Sequence, residues 1–359
     1  MKRVIVGLSG GVDSAATAYL LKLAGYDVIG ITLRTWVSAD GKESRCCEVQ
    51  DAAAAASQLD IPYYAVNCQS DFRRLVTEPF INEYLSGRTP NPCVGCNRTI
   101  KWDKLIEAAD RMNADFIATG HYAGIVRLAN GRLSVRQAEH IEKDQTYMLY
   151  QLSQQQLART LMPLGSLSKS RVRELAQKAG LTVADKPDSQ EICFVPDGDY
   201  ASYIEDNAER EFFTVGDFTD KDGNVLGRHG GIYRYTIGQR KGLGISLGRP
   251  VYVNRLDAEK NTVVVGEESE LYSQVVYCSG IYFMGIAGLA QGERIKAAVK
   301  VRYAHEPQDA EAEMLSGGVL KITFEKPVRA AAPGQAAVLY DKDRSILCGG
   351  IITHTSNTL

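Results

Sequence analysis

The first residues suited to chemistry form a loop of small side chains near the start of the chain. Residues 7–14 read Gly-Leu-Ser-Gly-Gly-Val-Asp-Ser. Glycines let backbone N–H groups turn toward an oxyanion, and a following helix adds the partial positive charge of its N-terminus. The loop has neither the Gly-Lys-Ser/Thr ending of a Walker-type loop nor the G-x-G-x-x-G spacing of a dinucleotide site. It therefore predicts a nucleotide-phosphate site of another kind.

Thiols form the second reactive group. Cys93 and Cys96 make a Cys-x-x-Cys pair within residues 87–97, where two prolines and two glycines predict a rigid exposed loop instead of a helix. Such a pair suits redox chemistry, half of a zinc site, or ligation of an iron–sulfur cluster. The adjacent Cys46 and Cys47 have poor geometry for completing a zinc site.

Cys193 is a third thiol of interest. Ile192 and Phe194 flank it, so the local sequence by itself favours burial. The sequence assigns no role to the remaining cysteines, which are Cys46, Cys47, Cys68, Cys278 and Cys348.

Alternating strand and helix patterns position these groups. An apolar run at residues 3–6 predicts a buried parallel strand before the loop, and residues 14–23 predict a helix that Gly25 ends. The alternation continues with further strands at 27–33, 62–67 and 115–119 and further helices at 48–59, 72–84, 99–112 and 169–179. It predicts an α/β domain in which helices cover both faces of a parallel sheet and ligands bind at the carboxyl ends of the strands.

The pattern changes after about residue 205. Turn signals such as Asp222-Gly223-Asn224 then separate short strands. Later alternation of apolar and polar residues predicts strands at 296–303, 319–324, 336–340 and 346–353. We expect a nucleotide-binding catalytic domain over 1–205, a small β-rich domain over 206–275 and a C-terminal β-barrel over 276–359.

Bulk properties narrow the class of protein. At 359 residues the chain is too long for one core. Its formal net charge of −2 gives no overall attraction to nucleic acid, so any RNA contact requires local basic patches. Since no signal peptide precedes the first strand and no apolar stretch approaches membrane-spanning length, we expect a cytoplasmic protein with no membrane partner. Its eight cysteines are then expected to be reduced, metal-binding or catalytic.

Several separated motifs carry a resemblance to a known family. Ser-Gly-Gly-x-Asp-Ser resembles the PP-loop of ATP pyrophosphatases. The whole chain resembles the tRNA-specific 2-thiouridylases, which replace the C2 oxygen of the wobble uridine with sulfur. The motifs follow the family order at residues 7–15, 87–97, 118–122, 143–147, 188–194, 236–244 and 301–303.

The resemblance implies ATP chemistry at the loop. The uracil C2 carbonyl is a poor electrophile, and adenylating its oxygen lets that atom leave within AMP while loop amides hold pyrophosphate. Asp13 is expected to associate with Mg²⁺ or, alternatively, to brace the loop. The implied ATP-binding residues are Gly7, Leu8, Ser9, Gly10, Gly11, Val12, Asp13, Ser14, Leu33 and Gly120.

The resemblance also implies a route for sulfur. Cys96 is the expected nucleophile and Cys193 the expected persulfide carrier, with a disulfide bond between them in one state. A cysteine desulfurase or a sulfur-relay protein is the implied donor. Many relatives have Asp where this chain has Cys93. An alternative is therefore that Cys93, Cys96 and Cys193 ligate three irons of a 4Fe–4S cluster, whose open iron delivers hydrosulfide.

A third set of residues is expected to hold tRNA, and the family prefers the tRNAs for Lys, Glu and Gln. Lys143, Asp144 and Gln145 supply a cation, an acceptor and an amide suited to a flipped nucleotide. Arg240 and Lys241, in a glycine-framed basic loop, suit the phosphodiester backbone. The resemblance adds Asn91, Pro92, Cys93, His121 (an RNA contact or a general acid–base), Arg302, Tyr303 and Gln335, with Arg302 and Tyr303 expected on alternate faces of a strand.

Two other functions stay open on sequence grounds. A PP-loop amidotransferase or ligase would use an amine nucleophile and would need neither Cys96 nor Cys193. A tRNA-binding sulfur carrier that does not use ATP would not need the intact loop. Release of pyrophosphate on addition of tRNA would exclude the sulfur carrier.

Overall fold

The computed structural model describes residues 1–37, 48–187, 192–195 and 198–356. Cys46, Cys47 and the first part of the 188–194 motif lie outside the described residues. A five-stranded parallel sheet, a four-stranded sheet and a closed six-stranded barrel follow one another along the chain. This arrangement confirms the expected fold class, whereas the three domain boundaries stay predictions. Among the described residues, no helix is both long and apolar enough to cross a membrane.

Apolar strands form the parallel sheet of the first domain. Its strands, with the hairpin β5–β6 beside them, are β1 Arg3–Gly7, β2 Asp27–Arg34, β3 Tyr63–Asn67, β4 Phe116–Ala118, β5 Ala123–Arg127, β6 Leu133–Gln137 and β7 Thr160–Leu161. The sheet order is β3-β2-β1-β4-β7. The chain thus adds β2 and β3 on one side of β1 and later adds β4 on the other side of β1. This reversal opens a crevice between the carboxyl ends of β1 and β4, where ligands bind in open α/β sheets.

Helices cover both faces of this sheet. They are α1 Val12–Leu23, α2 Val49–Gln58, α3 Gln69–Phe72, α4 Glu78–Leu85, α5 Pro92–Cys96, α6 Asp103–Arg111, α7 Gln154–Ala158, α8 Lys169–Lys178 and α9 Tyr200–Asn207. Because side chains alternate along a strand, Ile5 packs in a cluster with Trp102, whereas Val4 packs in a second cluster with Ala16. The two clusters are the two apolar layers on either side of the sheet.

Two long helices each contain a π-helical segment. Arg73–Thr77 joins α3 to α4, and Asn97–Trp102 joins α5 to α6. π-Helical turns are rare and occur frequently at functional sites. Here the second one begins at the residue after Cys96, and the first packs against α5.

The expected loop at residues 87–97 is wrong in its second half, because Pro92–Cys96 is helical. Pro92 lies in the first turn of this helix, where a missing N–H breaks no helical hydrogen bond. The Asn91 side chain caps the helix by accepting a hydrogen bond from the Cys93 N–H at 3.1 Å. The prolines and glycines therefore start and permit this helix instead of preventing it.

Antiparallel pairing dominates the rest of the chain. The small sheet, in the order β10-β11-β8-β9, contains β8 Gly216–Thr219, β9 Val225–His229, β10 Tyr252–Asp257 and β11 Thr262–Gly266. The barrel, in the order β12-β15-β14-β13-β16-β17, contains β12 Tyr272–Phe283, β13 Arg294–Lys300, β14 Gln308–Met314, β15 Leu320–Arg329, β16 Ala336–Tyr340 and β17 Ile346–Ser356. The strand expected at 296–303 ends early, since the chain turns where the His305 N–H donates to the Arg302 carbonyl. Arg302 and Tyr303 thus lie after a strand and not within it.

The barrel packs directly against the segment that leads to Cys96. The Thr89 N–H donates to the Pro333 carbonyl at 2.8 Å, and the Gln335 side chain donates to the Thr89 carbonyl at 2.9 Å. Gly334 permits this approach, because a Cβ there would lie 3.0 Å from the Thr89 backbone. The barrel therefore fixes the backbone just before the Asn91 cap.

Candidate active site

The loop at residues 7–14 turns sharply between β1 and α1. The Leu8 N–H donates to the Ile31 carbonyl at 2.8 Å, which ties the loop to β2. Gly10 has φ +80°, and a Cβ there would lie 2.7 Å from the Glu48 carbonyl oxygen, so this turn requires glycine. In the described structure, Gly11 begins α1 without a side-chain cap. The first N–H groups of the helix are therefore suited to binding an anion.

Gly120 brings the end of β4 against the start of α1. A Cβ on Gly120 would lie 2.8 Å from the Ser14 nitrogen and 2.8 Å from the Asp13 carbonyl carbon. The two loops thus meet at the crevice between β1 and β4. Leu33 is buried on the neighbouring β2. The residues expected to bind ATP therefore gather at one edge of the sheet.

Asp13 is held by two side chains from other parts of the chain. The Lys169 Nζ lies 2.8 Å from both carboxylate oxygens, and the Tyr122 hydroxyl donates to Oδ1 at 2.7 Å. The Lys169 side chain is only 14 % exposed. Because the loop has no lysine of its own, Lys169 supplies the cation that a Walker-type loop carries internally.

Sequence reasoning missed Lys169. It is the first residue of α8, directly after Ser168, whose side chain caps this helix. The contact with Asp13 joins residues 156 positions apart, so the local sequence around Lys169 does not indicate it. The phosphate loop contains no lysine or arginine. This absence is the one sequence signal that indicates a basic residue from another part of the chain.

A second lysine ties the loop to the segment that precedes the 188–194 motif. The Lys186 Nζ pairs with the Glu48 carboxylate and, at 2.5 Å, with Asp51, and it lies 3.5 Å from the Gly10 carbonyl oxygen. Lys186 therefore anchors the chain against the phosphate loop shortly before it reaches Cys193.

Cys96 lies at the end of α5 and is 6 % exposed. Cys93, one turn earlier on the same helix, is half-buried. α5 packs against Arg73–Thr77, the π-helical part of the long helix that runs from Gln69 to Leu85. The candidate nucleophile is therefore covered in this structure.

Cys193 approaches the same long helix from another direction. It is half-buried, so the burial favoured by its neighbours is only partial. The adjacent Phe194 is fully buried, with its ring 5.6 Å from Phe72 and 5.2 Å from Phe80. The segments carrying Cys96 and Cys193 thus pack on one helix, between them contacting its N-terminal, π-helical and C-terminal parts.

His121 follows β4 and lies over the apolar core. Its Nδ1 is 2.9 Å from the Thr119 hydroxyl oxygen, and its ring centre is 5.4 Å from that of Trp102. Burial, assisted by repulsion from Lys101, holds the pKa of His121 well below its usual value. The ring is therefore neutral near pH 7 and suits hydrogen bonding better than phosphate pairing.

The low pKa of His121 predicts acid sensitivity of the fold. The unfolded chain binds a proton at this histidine near pH 6.5 and the folded chain does not, so stability falls as the pH drops below that value. We expect His121→Gln to reduce the slope of unfolding free energy against pH by up to about 1.4 kcal/mol per pH unit. Urea unfolding followed by tryptophan fluorescence at pH 5.5 and 7.5 measures this slope. An unchanged slope would show that His121 protonates within the folded protein.

Residues 143–145 lie between the crevice and the barrel. Asp144 is 4 % exposed, and its carboxylate accepts hydrogen bonds from the Thr146 hydroxyl at 2.8 Å and the Ala138 N–H at 3.1 Å. Burial raises the pKa of Asp144. Its carboxylate thus braces the turn internally, and the structure gives it no RNA-facing surface. The Gln145 Oε1 likewise accepts from the Tyr122 N–H at 2.9 Å, while Lys143 is half-buried.

The expected tRNA contacts of the barrel gather near this turn. The Arg302 guanidinium donates to the carbonyls of Ala330 at 2.8 Å and Ile237 at 2.9 Å, linking the barrel to the small sheet. Tyr303 is exposed, with its ring centre 6.4 Å from that of the buried Tyr147. Gln335 contacts Thr89, as described above. Tyr303 is thus the one aromatic side chain among these three residues, with the Lys300 Nζ 5.7 Å from its ring centre.

Arg240 and Lys241 are exposed in the loop after residues 236–239. This loop borders a cavity of about 430 Å³ between the start of α9, the segment that joins β9 to β10 and the turn after β13. Its walls include Arg234, Arg302 and the start of α9. The structure therefore places the basic loop beside the turn that follows β13 of the barrel.

Comparisons with known proteins cover nearly the whole chain. Three family profiles match in order: "tRNA methyl transferase HUP domain" over residues 2–197, "tRNA methyl transferase PRC-barrel domain" over 203–267 and "Aminomethyltransferase beta-barrel domain" over 281–352. Among solved structures, a U34-tRNA thiolase from Methanococcus maripaludis with its [4Fe-4S] cluster aligns at 20 % identity over 59 % of this chain and 68 % of that one. Its TM-score is 0.35, too low to support an argument.

Curated relatives match over full length. A tRNA-specific 2-thiouridylase of Lachnoclostridium phytofermentans is 48 % identical over 357 residues, which cover 98 % of this chain and 99 % of the relative. One of Acetivibrio thermocellus is 47 % identical over 359 residues, with 98 % and 99 % coverage. The chain therefore belongs to the tRNA-specific 2-thiouridylase family.

Proposed function

We propose that this chain is a tRNA-uridine 2-sulfurtransferase that converts the wobble uridine of tRNA to 2-thiouridine, with ATP giving AMP and pyrophosphate. The observation that carries the proposal is the packing of the Cys96 and Cys193 segments on one helix in a domain whose phosphate loop pairs Asp13 with Lys169. An amine-using ligase with the same loop needs no such pair of thiols. Family membership supports the same reaction.

The first step is adenylation of the uracil C2 oxygen. That oxygen attacks the α-phosphorus of ATP, and the bond to pyrophosphate breaks. The N–H groups at Gly10 and Gly11 and the start of α1 face the departing charge, with no reorganisation required at that moment. Lys169, already within the crevice, neutralises negative charge on the phosphates.

Proteins commonly hold Mg²⁺ with one or two carboxylates together with the phosphates of the substrate. Asp13 would provide such a carboxylate beside the phosphates of ATP. When bound, the ion would neutralise charge on the leaving pyrophosphate. The structure supports this role only through the position of Asp13, since Lys169 and Tyr122 now hold its carboxylate.

The second step transfers sulfur. A donor loads Cys193 as a persulfide, Cys–S–SH, and its terminal sulfur attacks C2 with loss of the proton and departure of AMP. The Cys96 thiolate then attacks Cys193 Sγ and breaks the S–S bond. The bonding pair stays on the sulfur at C2, which becomes the thiocarbonyl, and a Cys96–Cys193 disulfide forms. An external thiol reductant supplies two electrons and two protons to restore both cysteines.

The 4Fe–4S alternative has no preassembled ligand set in this conformation. The described residues contain no group of three or more His, Cys, Asp or Glu side chains arranged to hold a metal. We therefore derive no step through a cluster and leave Cys93 as a residue that contacts tRNA. Cys93→Asp separates the two routes: the persulfide route predicts retained sulfur transfer, whereas a cluster that needs this thiol predicts its loss.

The tRNA is proposed to lie across the crevice, the barrel and the basic loop. Exposed Tyr303 offers a face for base stacking, and exposed Arg240 and Lys241 suit phosphates. We expect tRNAs for Lys, Glu and Gln as substrates and a cysteine desulfurase or sulfur-relay protein as donor. The test is thiouridine formation with purified chain, ATP, tRNA, cysteine and a desulfurase. Absence of thiolated uridine under these conditions, despite folded protein, would refute the proposal.

Substitution of Lys169 is expected to affect the adenylation step alone. We expect Lys169→Met to slow pyrophosphate release by on the order of 10²–10³-fold, because one aligned cation is lost from the phosphate site. Lys169→Arg, which keeps the charge, should recover part of that rate. Transfer of sulfur from preloaded Cys193 to pre-adenylated tRNA should be unaffected in both variants. Equal loss of both steps would show that Lys169 stabilises the fold instead.

A further inference from the structure

Asn97 carries an unpaired polar atom next to the nucleophile. The residue is 1 % exposed, and its Nδ2 donates to the Met148 carbonyl at 3.1 Å. A carbonyl only accepts hydrogen bonds, so this contact fixes which end of the amide is nitrogen. The other end, Oδ1, is buried and has no hydrogen-bond partner among the residues that the structure describes. Leaving such an acceptor unpaired destabilises the folded protein, which calls for a compensating use.

The position of Asn97 supports such a use independently. It follows Cys96 directly and is the first residue of the π-helical segment Asn97–Trp102. It also lies one helical turn after Cys93, so both side chains point to the same side of the helix. Its partner Met148 ends the turn that begins at Gln145. The amide therefore joins the helix of the nucleophile to the turn beside the proposed tRNA site.

Opening of this site is required by the proposed reaction. Cys96 is 6 % exposed, and sulfur transfer needs its thiolate to reach the Cys193 Sγ, which is then joined through one sulfur to C2 of the wobble base. A movement that uncovers Cys96 also uncovers the residue next to it. A π-helical turn lacks regular α-helical hydrogen bonding, which makes it a suitable place for that movement.

The chemistry of the base identifies a partner for Oδ1. Uracil C2 lies between N1, which is bonded to the ribose, and N3, which carries the only N–H of the ring. Cytosine has the same C2 carbonyl, but its N3 has no hydrogen. An acceptor beside C2 therefore distinguishes two bases that offer the enzyme the same reacting carbonyl.

We propose that Asn97 reads the N3–H of the target uracil through Oδ1 and so makes the enzyme select uridine over cytidine at the wobble position. This inference rests on the proposed function. The amide nitrogen stays on Met148 and aims the oxygen. A site built to bind an N–H rejects a base without it, because the acceptor is then left unpaired.

The test compares anticodon stem-loop RNAs with uridine, cytidine or 3-methyluridine at the wobble position. The full chain is assayed for ATP-dependent pyrophosphate release, since the base must already be recognised in that step. Wild type should act on uridine and discriminate against the other two. Asn97→Leu should lower the uridine-to-cytidine ratio of kcat/KM at least tenfold, whereas Asn97→Gln, which keeps both the amide donor and an acceptor, should retain a preference for uridine.

Asn254→Leu is the matched control. Asn254 in β10 also has a buried Oδ1 without a partner in the described parts of the chain, and its Nδ2 donates to Glu270, far along the chain from Cys96 and Cys193. It should leave the uridine-to-cytidine ratio unchanged. An unchanged ratio in Asn97→Leu, in protein that still binds ATP, would overturn the inference. Wild type that releases no pyrophosphate with any RNA would instead overturn the proposed function.

Discussion

Replacing Cys96 by serine is expected to leave ATP-dependent pyrophosphate release intact and to reduce 2-thiouridine formation by at least about 10³-fold. Removal of a nucleophile has effects of this size or larger. The two steps can be measured separately because the phosphate loop and Lys169 act in adenylation, whereas Cys96 acts only in sulfur transfer. Cys193→Ser should show the same pattern. The measurement is a parallel assay of pyrophosphate and thiouridine on one sample.

The serine variant should also accumulate a diagnostic intermediate. Without Cys96 to break the S–S bond, tRNA should remain joined to Cys193 through the transferred sulfur. Mass spectrometry of the protein after nuclease digestion detects that adduct. Cys68→Ser, at a buried cysteine outside the proposed path, is the control for loss of a thiol. Loss of pyrophosphate release together with thiolation in Cys96→Ser would argue that Cys96 is structural.

Replacing Asp13 by alanine is expected to abolish both steps. Asp13 is the one carboxylate within the phosphate loop, and it holds Lys169 at 2.8 Å and Tyr122 at 2.7 Å. Its removal takes away the proposed magnesium ligand and the partner that orients Lys169. We expect pyrophosphate release to fall by about 10²–10³-fold, as for loss of one preorganised charge at a reacting centre.

A matched carboxylate controls for the loss of charge. Asp27 pairs with Arg3 at 2.6 Å, but it begins β2 at the opposite edge of the same sheet. Asp27→Ala should therefore keep both steps near wild-type rates, because a partly exposed pair contributes little. Normal ATP affinity and normal turnover in Asp13→Ala would contradict its proposed role. A role in bracing alone predicts lower thermal stability with the reaction retained.

The parts of this protein that could be predicted from its sequence are those encoded by the pattern of neighbouring residues. The strand, small-residue loop and helix at the N-terminus are encoded within about twenty neighbouring residues, and the structure places them as expected. Alternation in the same way predicts β13, β15, β16 and β17 of the barrel, but not β12 and β14. Gly120 joins the loop because it ends a neighbouring parallel strand, which topology rules anticipate.

Contacts between distant segments explain what could not be predicted. Lys169 reaches Asp13 across 156 positions, and no local pattern encodes that pairing. Asp144 has the sequence of a polar surface turn, but packing against the barrel buries it and raises its pKa. Prolines and glycines at residues 87–97 predict a loop, whereas in the structure Pro92 starts the helix Pro92–Cys96 and the Asn91 side chain caps it.

The source of sulfur is the central claim, and one measurement addresses it most directly. The chain is purified without oxygen, its iron and acid-labile sulfide are measured, and thiouridine formation is assayed in the same sample. The persulfide account predicts full activity in iron-free protein supplied with a desulfurase and cysteine, with one persulfide on Cys193 consumed for each thiouridine formed. Activity that rises in proportion to bound iron, with iron-free persulfidated protein inactive, would contradict the account and make Cys93 a cluster ligand.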